Sequence, residues 1–203
     1  MEDRVPRSGR LTVAEFDRFV DAQQDEHDWE LVDGGIVMMT NPTENHEQIA
    51  GNLGAPLKLA MDAQGCRSYR GGMRVLRDYD GRGRDKPKPD IDVRCGPRQN
   101  RTFVTDPLVI VEVLSPSTMD RDRGPKLSFY KLSFYKSLPT LRHFVLVYQD
   151  QMRVEHDRRE PEGWVSDVLT APDHVLRFEA VEFEIALDRV YFDVPVLRPI
   201  AVG

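Results

Sequence analysis

The chain has 203 residues, 40% of them hydrophobic and 31% charged, and a formal net charge of −6 at pH 7. These values fit one folded domain with a sizeable core. They argue against a protein that coats nucleic acid non-specifically, which needs a basic surface.

Residues 1–10, MEDRVPRSGR, are charged, lack an apolar h-region and are expected to be flexible, so no secretory leader is expected. "LTVAEFDRFVDAQQ" (11–24) places Leu11, Val13, Phe16, Phe19 and Val20 at roughly helical spacing, with Thr12 as the N-cap. "WELVDGGIVMM" (29–39) predicts a hairpin turning at Asp33-Gly34. A second helix is predicted from about 44 to 64, with Ile49, Leu53, Leu57, Leu59 and Ala60 on one side and a kink at Pro56.

Cys66 to Leu76 suits one extended strand, and "DYDGRGRDKPKP" (78–89) suits a loop. "DIDVRC" (90–95) alternates as a strand does. "LVIVEVL" (108–114) is the most apolar run and predicts a central strand buried on both faces. A lysine-bearing helix follows "SPSTMDRDRG", then a second buried strand, "HFVLVYQD" (143–150), and a set of short strands over 151–195. The fold class predicted is α+β: a mixed central sheet flanked by helices, in a single domain spanning 1–203. No apolar run is long enough to span a bilayer. Cys66 and Cys95 stand far apart and in no CxxC pair, so reduced thiols and a cytoplasmic protein are expected, without a cysteine-based zinc site.

Charge is uneven along the chain. Eleven Lys and Arg stand against five Asp from Arg67 to Arg101. Such a stretch is either a solvated arginine-rich loop or a face for phosphates. Arg70, Arg74, Lys86 and Lys88 are the nucleic-acid-binding candidates within it.

Two acids carry the chemical argument. Glu112 lies inside LVIVEVL, where an unpaired carboxylate is costly unless it is salt-bridged, protonated or metal-bound. Asp90 follows Pro89 at the mouth of the preceding strand. Neighbouring strands bearing Asp90 and Glu112 can converge on a hard divalent cation, which polarises a phosphodiester and activates water.

Pro89-Asp90, a gap of about twenty residues, and then Glu112 in an apolar strand resemble the core of PD-(D/E)XK nucleases. More of the chain resembles the Uma-type restriction-endonuclease family: "LTVAEFDRFV", "WELVDGGIVMM", "NPTENHEQIAGNL", "KPDIDV", "PLVIVEVLSPSTMDRDRGPKLSFY" and "SLPTLRHFVLV", from about Leu11 to Tyr148. The resemblance implies a restriction-endonuclease-like mixed sheet and Mg²⁺- or Mn²⁺-dependent cleavage of DNA. It implies Asp90 and Glu112 as metal-binding acids and Glu30 as a further acid facing the site. His46 lies where the family often has histidine, as a base, a phosphate contact or simply a helix-surface residue. A homodimer suits the cutting of two antiparallel strands. The family usually has an acid where this chain has Gly35.

The catalytic lysine is displaced. Two residues after Glu112 stands Leu114, which cannot orient water or offset charge. The family takes its lysine from the next helix, in a D…K…Y pattern that Asp122, Lys126 and Tyr130 match. The pentapeptide KLSFY, however, occurs twice, at 126–130 and 131–135, like a tandem insertion. Five residues rotate a helix by a net ~140°, so Lys126 and Lys131 face different ways. Pro125 suits a first helical turn and ties Lys126 close to the strand of Glu112, which favours Lys126 over Lys131. The alternative function is a catalytically inactive nucleic-acid-binding or regulatory protein on the same fold, its site disabled by the insertion.

Overall fold

The computed structural model describes residues 9–24, 27–114 and 124–197, with the side chains of 124–128 excluded. The expectation of a flexible 1–10 falls mostly outside the described residues. The first helix, α1 (Val13–Ala22), starts at a reciprocal cap: the Glu15 backbone N–H donates to Thr12 Oγ1, and the Glu15 carboxylate accepts from the Thr12 N–H at 2.8 Å. Strands β1 (Trp29–Val32) and β2 (Gly35–Met38) form the hairpin. Asp33 and Gly34 both have positive φ, 48° and 75°, as a tight two-residue turn requires.

Helix α2 (Glu44–Ala63) runs through Pro56 and is capped by Thr43. Its buried stripe is Ile49, Ala50, Leu53, Leu57 and Met61, a spacing of about four. Leu59, expected inside, is 74% exposed, because it lies two positions past Leu57 and so turns to the opposite side.

The single strand expected over 66–76 is two, β3 (Cys66–Arg70) and β4 (Arg74–Val75). Gly71 breaks it with φ 57°, a conformation that L side chains rarely adopt. Then come β5 (Ile91–Cys95), β6 (Phe103–Val104), β7 (Val109–Leu114), helix α3 (Gly124–Lys136) and β8 (His143–Tyr148). Strands β9 (Val154–Glu160) and β10 (Gly163–Leu169) extend the same sheet, and β11 (Val175–Phe178), β12 (Phe183–Ala186) and α4 (Leu187–Val190) close the described chain.

The central six-stranded sheet has the order β10-β9-β8-β7-β5-β3. Only β7 and β8 run parallel within it, joined by the connection that contains α3. A parallel neighbour needs such a crossover, whereas the antiparallel pairs do not. One face packs against α2 through Ile91, Val93, Val109, Val111 and Val113. The other face packs Ile110 and Phe144 against Phe134, Tyr135 and Leu138 of the α3 region. Alternation therefore turns Glu112 to the α3 face, together with Ile110.

Cys66 and Cys95 are not reduced thiols. They face each other in the β3–β5 register and form a disulfide. Their separation in sequence hid a pairing that the antiparallel register creates.

Candidate active site

The β5–β7 register pairs Ile91 with Val111 and Asp92 with Ile110. Continued by one residue it sets Asp90 opposite Glu112. Both acids thus sit where the two strands begin to part. Asp90 Oδ2 accepts the backbone N–H of Val113 at 2.6 Å. Its other oxygen, Oδ1, is 3.2 Å from His46 Nε2 on the first turn of α2. Burial alone would lower the His46 pKa, but the Asp90 hydrogen bond and charge raise it above the ordinary value. Among the described residues His46 Nδ1 is buried without a hydrogen-bond partner, the Glu47 carboxylate being 3.7 Å away.

Glu112 is held from the helix side. Its Oε1 lies 2.8 Å from Lys131 Nζ and accepts from the Tyr135 hydroxyl at 2.9 Å. Lys131 and Tyr135 are one helical turn apart, so both reach the same carboxylate. Lys131 Nζ also lies 3.2 Å from Glu30 Oε1. Glu30 is itself 4% exposed and accepts the Lys88 backbone N–H at 2.7 Å. Burial raises the Glu112 pKa to about 7, against the lowering effect of Lys131. For Lys131, burial pulls the ammonium down while Glu112 and Glu30 push it well above its usual range. Tyr135 is raised by burial and then by the Glu112 charge, and stays a hydrogen-bond donor.

The two copies of KLSFY therefore occupy different environments. Phe129 of the first copy is 63% exposed, whereas Phe134 and Tyr135 of the second are buried. A net rotation of ~140° over five residues accounts for the difference. The second copy places its lysine at the acids. The side chain of Lys126, favoured on sequence grounds, and Asp122 lie outside the described residues.

The acids suit a hard cation by donor chemistry. Mg²⁺ is commonly held by one or two carboxylates, with waters and substrate oxygens completing its shell. Among the described residues no three His, Cys, Asp or Glu side chains gather into a closed metal cage. Two opposed carboxylates, Asp90 and Glu112, with a third acid beyond Lys131, fit the open kind of site.

The basic candidates are mostly spoken for. Arg74 and Lys88 both pair with Asp28, and Lys86 pairs with Asp17. Arg70 is more open, 3.8 Å from Glu47 and flanking the helix turn that carries His46. Sequence reasoning gave Tyr135 no role at the site. The signal that would have found it is the K…Y spacing of the second copy, the same as in Lys126 and Tyr130. It also passed over Asp92, which shares the face of Glu112. Burial there raises the Asp92 pKa to about 8, and its Oδ2 has no hydrogen-bond partner among the described residues.

Comparison with known proteins bears on the fold and the family. A crystal structure from Anabaena variabilis ATCC 29413, described as "a putative nuclease belonging to DUF820", superposes with a TM-score of 0.69 at 18% identity, covering 89% of this chain and 97% of that one. At that identity it speaks to the fold. Two Synechocystis proteins are similar along most of their length. "Uncharacterized protein slr1290" is 26% identical over 189 residues, 90% of this chain and 92% of its own. "Uncharacterized protein sll1609" is 28% identical over 150 residues, 72% and 79%. The Uma2 family profile, described as "Putative restriction endonuclease", matches residues 13–189, which span every element from α1 into α4 and every acid of the site. The chain belongs to the Uma2 family, and it shares the mixed-sheet α+β fold of the Anabaena structure.

Proposed function

We propose that this chain is a divalent-metal-dependent DNA endonuclease, acting as a single nuclease-like domain across 1–203. The observation that carries the proposal is the convergence of Asp90, Glu112, Glu30 and Lys131 at one end of the β5–β7 pair. Buried acids and a lysine gathered at the end of a sheet, each with a named partner, are more than a chance ion pair in the core.

Asp90 and Glu112 would hold Mg²⁺ or Mn²⁺. When bound, such a cation polarises a phosphodiester oxygen and makes water more acidic. The protein's own groups do the positioning. Val113 N–H and His46 fix the two oxygens of Asp90. Tyr135 fixes Glu112, and Glu30 steadies Lys131 from the far side. In hydrolysis the water oxygen bonds to phosphorus and the ester bond to the leaving oxygen breaks. Charge builds on the phosphoryl oxygens between these events. The Lys131 ammonium is the protein cation placed to offset it.

The tandem pentapeptide left open an inactive protein on this fold. Lys131 beside Glu112 weighs toward activity, because the duplicated segment still supplies a lysine. DNA as substrate, a homodimer and a cytoplasmic setting belong to the same proposal. No described helix is long and apolar enough to cross a membrane. The disulfide removes reduced thiols as an argument for the cytoplasm. The test is conversion of supercoiled plasmid to nicked circles with Mg²⁺ or Mn²⁺. Wild type is expected to nick and Glu112→Gln to be inert. Equal nicking by both would overturn the proposal.

A further inference from the structure

A half-open cleft of about 390 Å³ lies on the α3 face of the sheet, lined in part by Tyr69, Arg98, Gln99, Asn100, Arg101 and Phe103. Its place follows from the register. Tyr69 pairs with Asp92, and Asp92 with Ile110. Asp92 is two residues along β5 from Asp90, and Ile110 two along β7 from Glu112. The cleft thus opens on the same face as the acids and begins about 7 Å along the strands from them.

Its chemistry is unlike that of the other basic residues. Arg94 at its edge is committed to both oxygens of Asp106, at 2.8 Å each. Arg98 and Arg101 make no close ion pair among the described residues, only longer-range attraction to Asp62 and Asp106, in contrast to Arg74, Lys86 and Lys88. Arg101 sits 5.5 Å over the Phe103 ring, and Phe103 stacks on Tyr79 at 4.7 Å with an 11° interplanar angle. Among the described residues no hydrogen bond uses the Gln99 or Asn100 side-chain amide, and both residues are exposed. Asn100 is held at φ 46°, a backbone region that asparagine tolerates better than most residues.

Unpaired guanidinium groups bind phosphate. Side-chain amides read the edges of bases, and aromatic rings stack on their faces. A concave cleft cannot enter the groove of a duplex, so it suits a nucleotide turned out of the stack. We propose that this cleft holds one unpaired deoxynucleotide of the strand lying across the acids. Its phosphate lies on Arg98 and Arg101, its base against Tyr69 with its edge at Gln99 and Asn100. The proposal rests on the nuclease reading for its substrate class, yet binding and cutting separate experimentally.

The experiment is fluorescence anisotropy of the full chain carrying Glu112→Gln, with a fluorescein-labelled single-stranded deoxyoligonucleotide and the same sequence as a blunt duplex. The single strand is expected to bind more tightly than the duplex. Adding Arg98→Ala and Arg101→Ala together is expected to weaken it by about tenfold or more and to reduce the salt slope by up to about two. Gln99→Ala with Asn100→Ala is expected to weaken binding while leaving the salt slope intact. Both pairs lie on exposed loop, and an unchanged melting temperature confirms folding. No binding of the single strand, tighter binding of the duplex, or unchanged binding by the arginine double variant would overturn the cleft. Plasmid nicking distinguishes the other failure. If binding behaves as stated but the Glu112→Gln change leaves nicking intact, the cleft stands and the assignment of the cutting site falls.

Discussion

Lys131 Nζ lies 2.8 Å from Glu112 Oε1, and this contact joins the second copy of the repeated pentapeptide to the acid inside the apolar strand β7. The ammonium sits between Glu112 and Glu30, neutralising a pair of carboxylates that would otherwise repel. The same arrangement sets up a competition, because a divalent cation entering the acids shares them with a resident charge.

That competition predicts how metal affinity responds to substitution. Mn²⁺ binding, followed by isothermal titration calorimetry, is expected to weaken by at least about tenfold in Asp90→Asn or Glu112→Gln, since each removes an anionic oxygen donor. Lys131→Ala is expected to keep or tighten Mn²⁺ binding while losing cleavage. Loss of both together in Lys131→Ala would mean that the lysine serves only to build the site.

Tyr135→Phe removes one donor to Glu112 and nothing else from the core, since the ring keeps its contact with Phe144. A hydrogen bond to a charged group contributes roughly 1.5–3 kcal/mol. A stability loss near the lower end is expected, because Lys131 still satisfies the carboxylate. Urea unfolding at pH 7 measures it. An unchanged midpoint would show that the hydroxyl bond is not formed.

His143 and His156 supply a pH dependence away from the site. His143 Nδ1 and His156 Nε2 are 3.0 Å apart, and the Ala180 N–H donates to His143 Nε2. Burial lowers both to about 4, and the nearby Glu179 carboxylate only partly opposes this. Arg158 lowers both further, and for His156 so does His143. Unfolded histidine titrates near 6.5, so the folded state binds fewer protons between these values. Stability is therefore full above about 6.5 and falls as pH drops toward 4. Thermal melts between pH 7.5 and 5 should show the decline, and His156→Phe should flatten it.

The Cys66–Cys95 disulfide ties the edge strand β3 to β5 across a separation of 29 residues. Closing a loop of that size lowers the entropy of the unfolded chain by the equivalent of about 3–4 kcal/mol. Dithiothreitol, or Cys66→Ser with Cys95→Ser, is expected to lower the melting temperature and to speed amide exchange in β3 first. Equal melting of oxidised and reduced protein would contradict this.

Much of the fold was legible in the sequence because its signals are local. The N-cap at Thr12, the Asp33-Gly34 turn, the stripe along α2 and the apolar run of β7 each follow from neighbouring residues. Glu112 was legible too, as a charge in a place where charge is costly, and Asp90 as the acid after Pro89 at the mouth of a strand. What stayed hidden was set by register and rotation. The Cys66–Cys95 pairing depends on β3 lying antiparallel to β5. The burial of Tyr135 but not Phe129 depends on how α3 docks, which no local pattern states when both copies are identical. The break at Gly71 was visible as a glycine pair, but the strand around it dominated the pattern.

The initial rate of plasmid nicking with Mn²⁺, compared for wild type, Lys126→Ala and Lys131→Ala, decides which copy of the pentapeptide supplies the working lysine. Lys131→Ala is expected to lower the rate by about 10²–10³, as for removal of a charge-stabilising donor, with Lys126→Ala close to wild type. A large loss in Lys126→Ala with Lys131→Ala unaffected would contradict this, and would return the catalytic lysine to the first copy of the repeat.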